Sequence, residues 1–295
     1  MKLVAKRQFD WTGDNVEWGE PTEAQALSAK PTGAIRLGHI SDFHYGKPPK
    51  HEEPVPETIA TWLADFEEAG VDAVVVSGDL VERPGDRVAM LRMRHLLETS
   101  ALPCVAVPGN HDIPRPGGDA AFYELFGDYP RIERHAGVDF ILLDSLAGLP
   151  IRDRTPYERL DYQRDGIPTR GKVGEAQLRR ATGLLSGADR PRVLVVHHHL
   201  HEQDDLLDDP PPGAPPRLMV PCLDADDVLE WAARHGVRTA FHGHRHPHWP
   251  PYVERDRVVV FNSGSATRVK PMRRGRLVDV VPGEGPRTVW EVQYG

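Results

Sequence analysis

Residues 237–246, VRTAFHGHRH, decide the fold. Val237, Thr239, Ala240 and Phe241 form a short run of strand-favouring side chains, and the run stops abruptly at a glycine flanked by histidines. A run too short for a helix and bounded by glycine reads as a buried strand ending in a tight turn. Two of the histidines, His244 and His246, are spaced i, i+2, so such a turn can present both to one rim.

Working outward, the same grammar recurs. AIRLGHI (34–40), DAVVVSG (72–78), PCVAVPG (103–109), VDFILLD (138–144), RVLVVH (192–197) and RVVVFNSG (257–264) read as further buried strands. Between them, residues 55–70, 86–99, 174–187 and 224–236 carry apolar side chains at helical spacing, with Gly70 and Gly236 as candidate C-caps. Strand, helix and strand in alternation imply an α/β layered protein, helices covering a sheet. GRLVDVV (275–281) and TVWEVQY (288–294) add strands, in a second sheet or at the far edge of the first. Residues 1–33 are polar and weakly patterned and read as an N-terminal extension on the surface of a domain spanning 34–295. Residues 149–171 are a charged loop, and 201–221, acidic and then proline-rich, favour an extended lid. Both are candidates for shaping a substrate site.

Composition narrows the class. The 295 residues hold 36 Lys+Arg against 44 Asp+Glu, a formal charge of -8, which argues against the basic surface that non-specific nucleic-acid binding needs. The opening MKLVAKRQFDWTGDN has no apolar run of signal-peptide length, and no window approaches the ~18 apolar residues of a membrane span. The expectation is a cytoplasmic protein with no membrane partner. Cys104 and Cys222 make no disulfide framework or metal pair and read as structural thiols.

The polar residues fall at the strand ends: HISDFH (39–44), SGDL (77–80), PGNHD (108–112), VVHHH (195–199) and HGHRH (242–246). Ligand sites of α/β sheets lie at the carboxyl ends of strands, so five such ends converging on one rim would build one site. They offer Asp42, His44, Asp79, Asn110, His197, His244 and His246, a set of oxygen and imidazole donors without thiolate that suits Mn, Fe, Zn or Ni. Seven donors are too many for one ion. Two ions about 3.5–4 Å apart, sharing one carboxylate, use them well and can hold a bridging hydroxide.

In this order and at these strand ends, D42-F-H44, G78-D79, G109-N110-H111-D112, a histidine after an apolar strand and G243-H244-R245-H246 resemble the signature of the calcineurin-like metallophosphoesterases. The resemblance spans roughly residues 35–265. It is greatest to the bacterial branch of class III cyclic-nucleotide phosphodiesterases and glycerophosphodiesterases. It implies a layered fold, a β-sheet sandwich flanked by helices, with the active site at the carboxyl ends of the strands.

Carried over by position, the resemblance assigns Asp42, His44 and His246 to one metal and Asn110, His197 and His244 to the other, with Asp79 bridging. His198 is the fallback for His197. His111 would assist the leaving group, and Asp112 would hold its other ring nitrogen. The implied function is a dinuclear metal-dependent phosphodiesterase, acting by in-line attack of the bridging hydroxide on a small-molecule phosphoester. Rival readings are a phosphomonoesterase, a nuclease and a scaffold without catalysis. The metal pair and the oligomeric state are not specified.

Other residues have plainer readings. His242 and His248 are expected as supporting or surface residues, and Asp204, Asp205, Asp208 and Asp209 as a solvated loop face. Trp62, Trp231 and Trp249 are expected as core or rim packing. Arg83, in GDLVER, is either a phosphate clamp or a salt-bridging surface arginine.

Overall fold

A computed structural model of the chain describes residues 3–10, 27, 29–46, 55–113, 121–149, 170–187, 190–201, 222–246, 252–254, 258–267 and 273–294. The apolar runs form two six-stranded sheets. Across the first lie β1 (Leu3–Asp10), β12 (Gly285–Tyr294), β11 (Arg274–Val281), β2 (Ile35–Ile40), β3 (Ala73–Val76) and β4 (Cys104–Ala106). Across the second lie β5 (Arg131–His135), β6 (Val138–Leu142), β7 (Arg192–Val195), β8 (Val237–His242), β10 (Val258–Asn262) and β9 (Tyr252–Glu254). β2, β3 and β4 run parallel, as do β6, β7, β8 and β10, while the remaining pairs are antiparallel. All five strands that end in candidate ligands, β2, β3, β4, β7 and β8, therefore lie within parallel blocks.

Alternation along the strands fixes the layers. On β7, Val193 and Val195 join the core that contains Phe140, Phe241 and Phe261 of the second sheet with Leu37, Val75 and Val278 of the first. Leu194, between them, points the other way, into a cluster with Leu178 of α4 (Glu175–Leu184) and Val228 and Trp231 of α5 (Ala225–Arg234). The outer face of the first sheet is covered by α1 (Val55–Glu68) and α2 (Arg87–Glu98), which bury Trp62, Phe66, Met90 and Met93. Each fully buried aromatic or aliphatic side chain contributes about 1.5–3 kcal/mol of transfer free energy. The Trp62 indole N–H is satisfied by donating to the Ala266 carbonyl at 3.0 Å. The expected layered fold, two sheets face to face with helices outside, is the one observed.

The expected strands and helices all form, with ends displaced by a few residues. Gly70 and Gly236, at φ of +69° and +72°, lie just past the ends of α1 and α5, Gly236 directly after the C-cap His235. The two C-terminal strands join the first sheet, where β11 pairs with β2. The segment read as a surface extension contains β1, an edge strand on β12. β5 and the short α3 (Ala121–Phe126) were not legible either: Arg131–His135 has a single apolar residue, Ile132, on an edge that only β6 pairs, and α3 is only six residues long. Among the described residues, no helix is long and apolar enough to cross a membrane. Apart from their end residues, loops 149–171 and 201–221 lie outside the described residues, as do His248, Trp249 and the four loop aspartates.

Candidate metal centre

The strand ends of both sheets meet at one buried rim. After β2 and β3 the chain continues as two loops zipped side by side: the Asp42 amide donates to the Gly78 carbonyl, the His44 amide to Asp79 and the Tyr45 amide to Leu80, at 3.0, 2.9 and 3.1 Å. The turn after β8 docks on them through the His244 amide, which donates to Asp42 Oδ1 at 3.1 Å. The price of this packing is backbone strain. Five described non-glycine residues have positive φ, and four are candidate ligands: Asp42, His44, Asp79 and His244, at 49° to 65°. Left-handed backbone at a non-glycine residue costs on the order of 1–3 kcal/mol and concentrates at functional sites.

The side chains form two groups. In one, donor atoms of Asp42, His44, Asp79 and His246 lie within 4.8 Å of one another. His44 Nε2 is 2.9 Å from His246 Nε2 and 3.6 Å from Asp79 Oδ2, and His246 Nε2 is 3.4 Å from Asp42 Oδ1. In the other, Asn110 Oδ1 lies 2.9 Å from His197 Nε2 and 3.1 Å from His244 Nδ1. The other oxygen of Asp79, Oδ1, is 3.5 Å from His197 Nε2, so this carboxylate faces both groups. His197 Nδ1 donates to the Ser77 carbonyl at 2.8 Å, which leaves Nε2 as a lone pair aimed at Asn110 and Asp79. His198 is turned elsewhere, its Nδ1 on Ser145 Oγ at 2.7 Å.

These residues fit a pair of cations. Lone-pair atoms crowd together without enough protons between them, and Asp42 Oδ2 is buried with no hydrogen-bond partner among the described residues. Nitrogen and carboxylate donors without thiolate match first-row divalent ions.

Charge is tuned accordingly. Burial would raise the Asp42 carboxyl, but the hydrogen bond and charge of His246, with His197 and His44, bring it below the usual carboxylate range. Asp79 is lowered too, the charges of His197, His111 and His44 outweighing its burial and the repulsion from Asp42. Burial and the charge of His197 push His244 down to about 3, a neutral imidazole able to ligate.

His111 sits beside this set, its ring 4.6 Å from that of His44. Its Nδ1 donates to the carbonyl of Glu82 at 2.8 Å. This corrects the expectation for Asp112, whose carboxylate instead accepts from the Val81 and Gly109 amides at 3.1 and 2.8 Å and so ties two loops together. Burial acts to lower the His111 pKa, yet the charge of Asp79, the Glu82 carbonyl and the nearby carboxylates raise it overall.

Glu82, three residues after Asp79 in GDLVE, was missed by sequence reasoning. Its Oε2 lies 2.8 Å from His44 Nδ1. His44, Glu82 and His111 approach closely enough to hold a cation; His111 Nδ1 is committed to the Glu82 carbonyl, and His44 Nδ1 faces the Glu82 carboxylate. Arg83 is exposed and makes no ion pair among the described residues, so the salt-bridge reading is not met. His242 is fully buried, its Nδ1 3.0 Å from the Gly243 carbonyl, and thus supports the turn rather than the surface. Trp62 and Trp231 are core residues.

Residues 35–248 match the family described as calcineurin-like phosphoesterase. The chain belongs to that family. Membership in it agrees with the clustered donors of Asp42, His44, Asp79 and His246, which are close enough to hold a metal ion. The chain is 34% identical over 92 residues to the DNA double-strand break repair protein Mre11 of Methanopyrus kandleri, covering 28% of this chain and 20% of that one. It is 30% identical over 144 residues to Mre11 of Haloferax volcanii, covering 45% and 31%. The calcineurin-like phosphoesterase thus matches less than a third of the length of these relatives. Among solved structures, it superposes on a dimetal phosphatase from Danio rerio with a TM-score of 0.56 at 14% identity, over 88% of this chain and 99% of that one. A purple acid phosphatase from yellow lupin seeds gives 0.50 at 12% identity, over 94% and 57%. At such identities the likeness is one of fold.

Proposed function

We propose that this calcineurin-like phosphoesterase hydrolyses a small-molecule phosphodiester, with Asp42, His44 and His246 holding one ion, Asn110, His197 and His244 the other, and Asp79 shared between them. The observation carrying the diester reading is the charge at the rim. Among the described residues, the largest charges acting on the Asp42 and Asp79 carboxylates are those of histidines, with Asp42 also acting on Asp79. A phosphomonoester carries about −1.5 to −2 near neutral pH, whereas a diester carries a single charge and needs less cationic help beyond the ions.

When bound, two such ions supply Lewis acidity at the phosphoryl oxygens and acidify water. The protein's own residues do the rest. Asn110 turns Oδ1 to the two histidines, which leaves its amide N–H donors for a phosphoryl oxygen. His111, anchored through Nδ1 by the Glu82 carbonyl, presents Nε2 to the leaving group, where a proton can be given to the departing alkoxide. The buried rim holds these donors fixed, so no reorganisation is required as charge develops.

A nuclease reading is favoured by the similarity to Mre11. The excess of acidic residues counts against it. A metal-supplemented panel separates the readings: bis(p-nitrophenyl) phosphate and a cyclic nucleotide should turn over at least about tenfold faster than p-nitrophenyl phosphate, and single-stranded DNA least. Faster monoester hydrolysis would overturn the diester reading, and DNA as best substrate would overturn the small-molecule one.

A further inference from the structure

Glu82 lies outside the seven proposed ligands, yet its carboxylate is drawn into their midst. Its side chain is 19% exposed and that of His44 5%, and the contact between Oε2 and Nδ1 is 2.8 Å. The same carboxylate oxygen stands 3.9 Å from His111 Nδ1, which is already bonded to the Glu82 main-chain carbonyl. The shorter contact of the Glu82 carboxylate is thus with His44, while its main-chain carbonyl accepts from His111.

The backbone builds this contact deliberately. The ladder between the two loops ends with the Glu82 amide donating to the Tyr45 carbonyl at 2.9 Å, which sets Glu82 beside His44 on the adjacent loop. His44 itself is held at a φ of 49°. An imidazole whose Nδ1 meets a carboxylate carries its proton there, and its Nε2 is left as a lone pair. In His44 that Nε2 is the atom facing His246 and Asp79.

We propose that Glu82 is a positioning residue for the metal centre: it fixes the tautomer and ring orientation of His44, and so sets the affinity of the ion held by Asp42, His44 and His246. The inference rests on the two-ion reading above.

The test titrates metal-free protein with Mn(II) alone in a calorimeter, for the natural sequence, Glu82→Gln and Glu82→Ala. The natural protein should bind two ions per chain. In Glu82→Ala one binding step should weaken about 10- to 100-fold, with a smaller change in the other. Glu82→Gln, whose amide oxygen can still accept from Nδ1–H, should fall between. A general packing role would instead weaken both steps alike and lower the melting temperature of the metal-free protein. Two unchanged steps in Glu82→Ala, or two equally weakened ones, overturn the role of Glu82 and leave the two-ion reading standing. Failure of the natural protein to bind two ions overturns that reading, and this inference with it.

Discussion

His44 Nε2 and His246 Nε2 lie 2.9 Å apart, although 202 positions separate the two residues in the chain. With its Nδ1 on Glu82, His44 offers a lone pair at Nε2, and the Asp42 and Asp79 carboxylates add more negative charge beside it. A cation among these atoms turns an unfavourable crowding into coordination. His246→Ala should therefore lower metal content and reduce kcat/KM for a chromogenic phosphodiester by at least about 100-fold. Asn110→Ala should do the same from the other group. Metal analysis beside kinetics reads both effects, and retained activity in either variant would sink the assignment.

His111 should behave differently, since it touches the ligands without being one. His111→Ala should keep the metal content of the natural protein and slow hydrolysis of an alkyl ester by about 10²- to 10⁴-fold, with little loss for a nitrophenyl ester. A nitrophenolate leaves without a proton, whereas an alkoxide needs one. Equal losses on both esters would remove His111 from the role of acid.

The candidate ligands were legible because each follows an apolar strand, where a polar residue in a parallel sheet has few reasons to be other than functional. Asp42, Asp79, Asn110, His197 and His244 all lie at such ends, and all are brought to the rim. Residues acting across loops were not legible. Nothing in GDLVE shows that Glu82 faces His44, because that contact depends on a ladder between loops centred some 37 positions apart. The bond between His111 and the Glu82 carbonyl was hidden for the same reason, which is why the neighbouring Asp112 was the natural but mistaken partner. β1 was missed on other grounds: LVAKRQFD has no clean alternation, and only its pairing with β12 makes it a strand.

A glycine outside the ligand set should be equally indispensable. A Cβ on Gly109 would lie 2.2 Å from Asp79 Oδ1 and 2.4 Å from the Asp79 amide nitrogen, so backbone as well as side chain would have to move. The shared carboxylate would be displaced from both groups at once. Gly109→Ala should weaken both Mn(II) binding steps by at least about tenfold, with a stability loss of about 1–3 kcal/mol. Native metal affinity in a folded Gly109→Ala protein would show that Asp79 is not the bridge.

The thiols give a prediction remote from the metals. Burial pushes Cys104 up to about 11 against the opposing Ser100 hydroxyl, and burial with the adjacent Asp224 carboxylate pushes Cys222 well above the usual thiol range. An ordinary cysteine at pH 8 is roughly a quarter thiolate, and one with a pKa near 11 roughly a thousandth. Iodoacetamide should thus alkylate the folded protein at pH 8 about 100-fold more slowly than the urea-unfolded chain. The same shift enters stability. Between about pH 9 and 11 the unfolded chain has lost the Cys104 proton while the folded one keeps it, so the contribution is present below pH 9 and lost as pH rises. Cys104→Ala should flatten that part of the stability profile by up to about 2 kcal/mol relative to the natural protein. Parallel profiles would mean that water reaches the thiol in the folded state, and that β4 opens at the edge of its sheet more readily than its packing implies.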